Sequence, residues 1–204
     1  STIVYDLMTS FGDDGSGQEY KPQNYTGGFN GPVSMRTALQ QSLNIPAIKA
    51  YYLAGAENVS SMAAKLGYDN WVAGKEYGLA TAIGGKEVVP LDHVGMFQTF
   101  ANRGVRQEPT GILEVTGPGG EVLEKYEDNG ERVLEENLAD TMNNVLSDNN
   151  ARSWGRRELV LTDRPAAAKT GTSNKQLADG SIRPDNVWTC GYTPQIATAV
   201  WVGN

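Results

Sequence analysis

The sequence predicts an α+β fold. Two observations carry this. Helical periodicity recurs in several stretches up to residue 149, and three β-rich runs close the chain, over 165–172, 186–193 and 195–202. Elements in that order, helices first and sheet last, favour an antiparallel sheet covered by helices over an alternating βα arrangement, with the Lys169 strand pairing beside the Val187 strand.

Composition bounds the function. With 204 residues, the chain is long enough for one domain or two small ones with a real core. Hydrophobic residues make up 39% and charged residues 20%, as expected of a globular protein. A formal net charge of -7 argues against nucleic acid as a partner, because phosphate binding needs a basic face. No apolar run is long enough to span a bilayer, and the absence of an initiating Met leads to the expectation that Ser1 is a cut. Cys190 is the only cysteine and His93 the only histidine. A thiolate zinc cluster and a His-rich metal site are therefore excluded, no cofactor is expected, and Cys190 reads as a small buried hydrophobe. Any acid–base chemistry near neutral pH points to a lysine of depressed pKa or a carboxylate of raised pKa, with His93 read as a surface or satisfied core residue.

Taken in order, residues 1–32 read as an ordered but irregular connection, with turns at 13–17 and 26–28. A helix is expected from Gly31-Pro32, with Met35, Ala38, Leu39 and Ser42 at helical spacing, so that Ser42 lies at the end of the buried stripe. Asn44-Ile45-Pro46 interrupts it, because a residue before proline avoids the α region. A second helix is expected from Pro46, with Ile48, Tyr51 and Tyr52 facing inward. Ser42-Leu43-Asn44 thus falls on a tight helix–helix junction, where caps or turn formers are the plain reading of its polar residues.

Further helices are expected over 58–66, 90–103 and 135–149, with Gly67 and Gly104 as stops and Leu138, Met142, Val145 and Leu146 as the last stripe. The stretch 79–85 reads as small and flexible, and 105–127 as a β-hairpin about Gly117-Pro118-Gly119-Gly120. The four arginines of 152–164 read as a solvated loop or helix end, and 173–184 as a polar surface loop.

The run Ala167-Ala168-Lys169-Thr170-Gly171-Thr172 carries the chemistry. On a strand, alternation puts Thr170 and Thr172 on one face, their hydroxyls about 7 Å apart. Gly171 between them leaves the backbone open to a ligand. Lys169 points to the other face, but its stem can bring an ammonium round the strand edge. A cation, two hydroxyls and an open backbone N–H suit a carboxylate.

Taken together, Ser42-Leu43-Asn44 (Ser-x-Asn) and Lys169-Thr170-Gly171-Thr172 (Lys-Thr-Gly-Thr) resemble two of the motifs of penicillin-binding proteins and serine β-lactamases. The flanking text is more specific. Tyr25, Gly31-Pro32-Val33, Arg36-Thr37-Ala38-Leu39 and Ser42 through Ala47 resemble the Ser-x-Asn segment of class A, bifunctional penicillin-binding proteins. Phe100 through Gly104 resembles their Ala-Asn-x-Gly turn, and Trp188 to Asn204 their closing strands. The resemblance covers nearly the whole chain in order.

It implies the penicillin-binding transpeptidase, or serine β-lactamase-like, fold and a D,D-transpeptidase that cross-links peptidoglycan stem peptides through an acyl-serine and is acylated by β-lactams. On that resemblance Ser42 relays a proton between the base and the leaving nitrogen. Asn44 binds the substrate amide carbonyl and holds the motif lysine. Lys169 supplies positive potential and anchors Ser42. Thr170 and Thr172 hold the terminal carboxylate, Gly171 admits the substrate backbone, and the Thr172 N–H is an oxyanion-hole donor. The implied partners are D-Ala-D-Ala stem peptides and β-lactam antibiotics, at the extracytoplasmic face of the bacterial cytoplasmic membrane.

The family's third motif, Ser-x-x-Lys with the nucleophile, is absent from residues 1–204. The expectation is a single partial domain whose nucleophile and first sheet strands precede residue 1, associated with that N-terminal portion and poorly folded when made alone. The alternatives are a remnant that binds without catalysis, and a penicillin sensor or serine β-lactamase relative.

Overall fold

A computed structural model describes residues 2–13 and 17–203, and shows helices on a closing antiparallel sheet, as the α+β reading expects. Strand β1, Ile3–Asp6, pairs antiparallel with β2, Gly31–Ser34. The segment expected to be irregular therefore begins in a small sheet, and the first helix starts later than Gly31-Pro32. A four-residue strand paired to one that contains Gly and Pro leaves almost no periodic signal. The turn at Gly27 is present, its N–H donating to Asn24 O at 2.8 Å. Residues 14–16 of the other expected turn lie outside the described residues.

Helix α1, Met35–Gln40, is capped by Ser34, whose hydroxyl accepts from the Thr37 N–H at 3.1 Å. Helix α2 runs Asn44–Ala54, two residues ahead of Pro46, which lies in its first turn where a missing N–H costs nothing. Its core face holds Ile45, Ile48 and Tyr51, whereas Tyr52 is 70% exposed, correcting the inward placement of that ring. Helix α3, Ala56–Lys65, ends before Gly67, and Leu79–Ile83 forms a 3-10 helix where only a flexible stretch is expected.

Helix α4, Pro90–Ala101, is followed by short strand β3, Val105–Arg106. Between them Arg103 adopts φ 51° and Gly104 φ 91°. A Cβ on Gly104 would run into the Leu134 carbonyl, so this turn requires glycine. Strands β4, Glu114–Thr116, and β5, Val122–Lys125, form the expected hairpin, and β6, Glu131–Arg132, pairs with β3. Helix α5, Glu136–Leu146, buries Ala139 and Leu146 but leaves Leu138 52% exposed, so its stripe is narrower than the periodicity suggests.

Three strands close the chain: β7, Ala167–Gln176, β8, Ile182–Thr193, and β9, Ile196–Gly203, in the order β7-β8-β9. Lys169 lies opposite Cys190 and Thr172 opposite Val187, so the predicted pairing is correct. The segment 173–184 is largely the far half of the β7–β8 hairpin rather than a surface loop, turning at Leu177 and Ser181. Its polar strands hide the β signal, although Asp179-Gly180 is a hairpin-turn pair.

The core lies between this sheet and α4 and α5. Phe97 and Phe100 meet Leu146, Ala167, Cys190 and Tyr192. A Cβ on Gly191 would press on the Ala167 carbonyl of the neighbouring strand at 3.3 Å. The Tyr192 hydroxyl donates to Asn143 Oδ1 at 2.7 Å, and Asn143 Nδ2 donates to the Phe100 carbonyl at 2.9 Å, tying strand, α5 and α4 together. Cys190 is buried as expected, and burial raises its thiol pKa to about 11. His93 is a satisfied core residue. Its Nδ1 shares a 2.6 Å hydrogen bond with the Tyr68 hydroxyl, its ring packs on Phe97 and Trp188, and burial lowers its pKa. No helix among the described residues is long and apolar enough to cross a membrane.

Candidate active site

Two places that sequence rules single out lie side by side. Ser42 occupies the turn between α1 and α2 with φ 58°, a left-handed conformation that costs a non-glycine residue about 1–2 kcal/mol. The strain turns the side chain out of the helix stripe, so Ser42 is exposed instead of ending the buried face. The Lys169 side chain leaves β7 and donates to Ser42 Oγ at 2.8 Å and to the Thr170 carbonyl at 2.7 Å. Lys169 thus reaches round the strand edge, as its stem length suggests.

Burial first, and the positive charge of Arg152 second, lower the Lys169 pKa to about 8. At neutral pH Lys169 is still mainly an ammonium, poised to share its proton. Because Lys169 donates to Ser42 Oγ, the Ser42 hydroxyl proton remains available to a third group.

Asn44 is fixed from the other side. Its N–H donates to Asn24 Oδ1 at 2.8 Å, and its Nδ2 donates to the Gln23 carbonyl at 2.7 Å. One Nδ2 hydrogen and Oδ1 stay free of described partners. Asn24 Oδ1 also receives the Ile45 N–H at 3.4 Å, so one side chain caps the start of α2. Asn24 is held in turn by Asp6, which is fully buried and accepts from Asn24 Nδ2 at 2.9 and 3.0 Å and from the Asn30 backbone and side chain at 2.9 and 2.7 Å. Sequence reasoning misses Asp6 and Asn24. The only available signal is an isolated Asp after an apolar pair, too common to carry weight.

Helix α1 is docked on α5 by Arg36, which donates to Asn144 O at 2.9 Å and to Asp148 Oδ2 at 3.2 Å, and by Gln40, which donates to Val145 O.

On β7, Thr170 is half-buried and Thr172 exposed, and neither hydroxyl has a side-chain partner among the described residues. A Cβ on Gly171 would meet only Trp188 Cβ, at an ordinary 3.6 Å, so the fold itself tolerates a side chain there. Within the described sheet β7 has one neighbour, β8, which leaves its other edge open beside Ser42. No group of metal-binding side chains exists among the described residues.

The expectation for Arg152 is overturned. It is 2% exposed, not solvated. One guanidinium nitrogen donates to Leu146 O at 2.7 Å and to Ala168 O at 3.0 Å, and the other to Asn149 Oδ1 at 3.1 Å. A cation that finds carbonyls at a helix C-terminus can be buried, which an arginine-rich stretch does not reveal by composition.

A family model, the penicillin binding protein transpeptidase domain, matches residues 6–203. The chain belongs to the penicillin-binding protein transpeptidase family. Penicillin-binding protein 1F of Bacillus subtilis is 31% identical over 204 residues, which cover 99% of this chain and 27% of that protein. Penicillin-binding protein 1A of Aquifex aeolicus is 34% identical over 191 residues, 94% of this chain and 24% of that protein. The chain therefore spans about a quarter of the curated relatives it matches. The Mycobacterium tuberculosis penicillin-binding protein PonA1 superimposes with a TM-score of 0.82 at 22% identity, over 98% of this chain and 54% of that one. PonA1 in complex with penicillin V matches with a TM-score of 0.76 at 23% identity, over 96% of this chain and 53% of that one. These likenesses establish the penicillin-binding transpeptidase fold, of which this chain forms part.

Proposed function

We propose that this chain is the substrate-orienting part of a serine-type D,D-transpeptidase that cross-links peptidoglycan stem peptides at the extracytoplasmic face of the cytoplasmic membrane and is acylated by β-lactams. The observation that carries the reading is the 2.8 Å hydrogen bond from Lys169 to Ser42, made beside an open strand edge. Penicillin bound by a chain of the same fold supports the choice of ligand.

The chemistry follows from the donors and acceptors. A stem peptide ending in D-Ala-D-Ala lies along the free edge of β7 as an added strand, close to Gly171. Its terminal carboxylate takes the Thr170 and Thr172 hydroxyls in the field of the Lys169 ammonium. The Asn44 amide donates to the substrate amide carbonyl, and its Oδ1 accepts from the lysine of Ser-x-x-Lys. That motif supplies the nucleophile from the N-terminal portion of the complete protein, which associates with this chain. The Thr172 N–H is one donor to the oxyanion, an interaction whose loss costs on the order of 10²–10³ in rate elsewhere. The Ser-x-x-Lys lysine takes the proton of the attacking serine, and Ser42, its oxygen held by Lys169, passes its own proton to the leaving nitrogen and is reprotonated by that lysine. An amine of a neighbouring strand then takes the acyl group.

The test is incubation of the complete protein with a labelled penicillin. A covalent adduct, sharply slowed by Ser42→Ala, is expected. No adduct in the unaltered protein overturns the reading.

A further inference from the structure

Arg152 lies against β7, next to the residue that holds Ser42. Its charge is not neutralised by a paired carboxylate. All three of its hydrogen bonds go to neutral oxygens: the last-turn carbonyl of α5, the carbonyl just before Lys169 in β7, and the Asn149 amide. The helix C-terminus stabilises the guanidinium there. The small cleft beside it, about 10 Å³, is lined by Gln40, Ala168, Lys169 and Thr170 with no acidic residue. Two cations thus line one cleft that has no acidic side chain in its wall.

Of the other charged groups around the pair, one carboxylate partly offsets the Arg152 charge without bonding to it. Asp148 faces Arg152, but its carboxylate is engaged by Arg36 and by the N–H groups of Asn150 and Ala151. Arg156 binds the Arg152 carbonyl at 2.6 Å and adds positive charge. Cys190, opposite Lys169 in the ladder, stays a neutral thiol.

We propose that Arg152 is a positioning residue for the Lys169–Ser42 pair: it pins β7 through the Ala168 carbonyl and acts with its positive charge on the Lys169 ammonium, beside which it lines one cleft. The inference rests on the transpeptidase reading for its purpose, but not for its test. The repulsion makes the Lys169 proton easier to release, in agreement with the lowered pKa of about 8.

The test is competitive acetylation of the complete protein with acetic anhydride across pH, with the extent of Lys169 modification read by mass spectrometry. This follows the Lys169 proton without any acylation step. Failure of the enzyme reading shows as a missing penicillin adduct, and failure of this one as an unmoved Lys169 profile. In Arg152→Gln, which keeps amide donors but loses the charge, the Lys169 midpoint is expected to shift upward toward the ordinary lysine value. In Arg152→Lys, which keeps the charge and loses the fork, the midpoint stays near that of the unaltered protein. An unchanged midpoint in a folded Arg152→Gln protein overturns the proposal. So does loss of the folded circular-dichroism signal in both variants, which would make Arg152 a structural residue only.

Discussion

The Lys169 ammonium donates to Ser42 Oγ at 2.8 Å, joining positions 127 residues apart in the chain. The contact brings a strained turn and an edge strand into one unit. It also fixes which proton can move: that of the serine hydroxyl, since the lysine already donates. In the complete protein Ser42→Ala and Lys169→Met should each slow acylation by penicillin by about 10²–10⁴-fold, the range lost with a proton-transfer group. Stopped-flow measurement with a fluorescent penicillin checks this, and a loss of less than tenfold in both would remove the relay from the mechanism.

Stability should move the other way at the same turn. With φ 58°, Ser42 is strained whatever its side chain does. Ser42→Gly relieves that strain and should stabilise the protein by about 1 kcal/mol, less any contribution of the lost hydrogen bond, whereas Ser42→Ala keeps the strain. Chemical denaturation of the two variants side by side tests the difference. The glycine variant should be the more stable of the two and no better at acylation.

Gly171 separates folding from ligand approach. Its added Cβ has room beside Trp188. Gly171→Ala should therefore leave stability within about 1 kcal/mol, the scale of glycine's entropy cost, yet weaken penicillin acylation because the methyl group meets the incoming ligand. Thr170→Val and Thr172→Val should each cost about 0.5–3 kcal/mol in carboxylate recognition. Acylation rates together with melting curves distinguish these cases, and unaltered acylation in all three would place the ligand elsewhere.

Alkali should act through Cys190. Its folded pKa, about 11, lies above the ordinary 9.0, so above pH 9 the unfolded chain loses a proton that the folded chain keeps. Stability from this group is whole below pH 9 and declines as pH rises toward 11, by about 2–3 kcal/mol in all. Cys190→Ala should flatten the fall of denaturation midpoint over that window. An equally steep fall in the variant would assign the loss to the tyrosines.

The helices over 58–66, 90–103 and 135–149 are readable from period alone because each buries one face. The candidate site draws notice in the sequence because its two halves break local patterns: a proline that follows Ser42 and enters the first turn of α2, and a run of small residues before Lys169. Three features resist such reading. Strand β1 is too short, and its partner contains Gly31 and Pro32. The far half of the β7–β8 hairpin is polar on both faces, so its pairing leaves no alternation. Arg152 shares its stretch with three other arginines, and only the packed fold tells it apart, by offering carbonyls from α5 and β7 to one guanidinium. Asp6 belongs to the same class, since its value depends on two asparagines that reach it from 18 and 24 positions away.

That knot of Asp6, Asn24 and Asn30 has a consequence for how the chain can vary. It clamps the two ends of the segment between β1 and the start of α2, so of the described residues between Asp6 and Asn24 the one that bonds to Asn44 is Gln23, through its carbonyl. Closing a longer loop costs only about 0.6 kcal/mol per doubling of its length. The Phe11 N–H donates to the Tyr20 carbonyl at 3.0 Å, and lengthening or trimming the chain between these two residues should leave the Ser42 turn, read by acylation rate, unchanged. Replacing Asn24 alone, which strips a buried carboxylate and a helix start of their partner at once, should cost about 1–3 kcal/mol and loosen that turn.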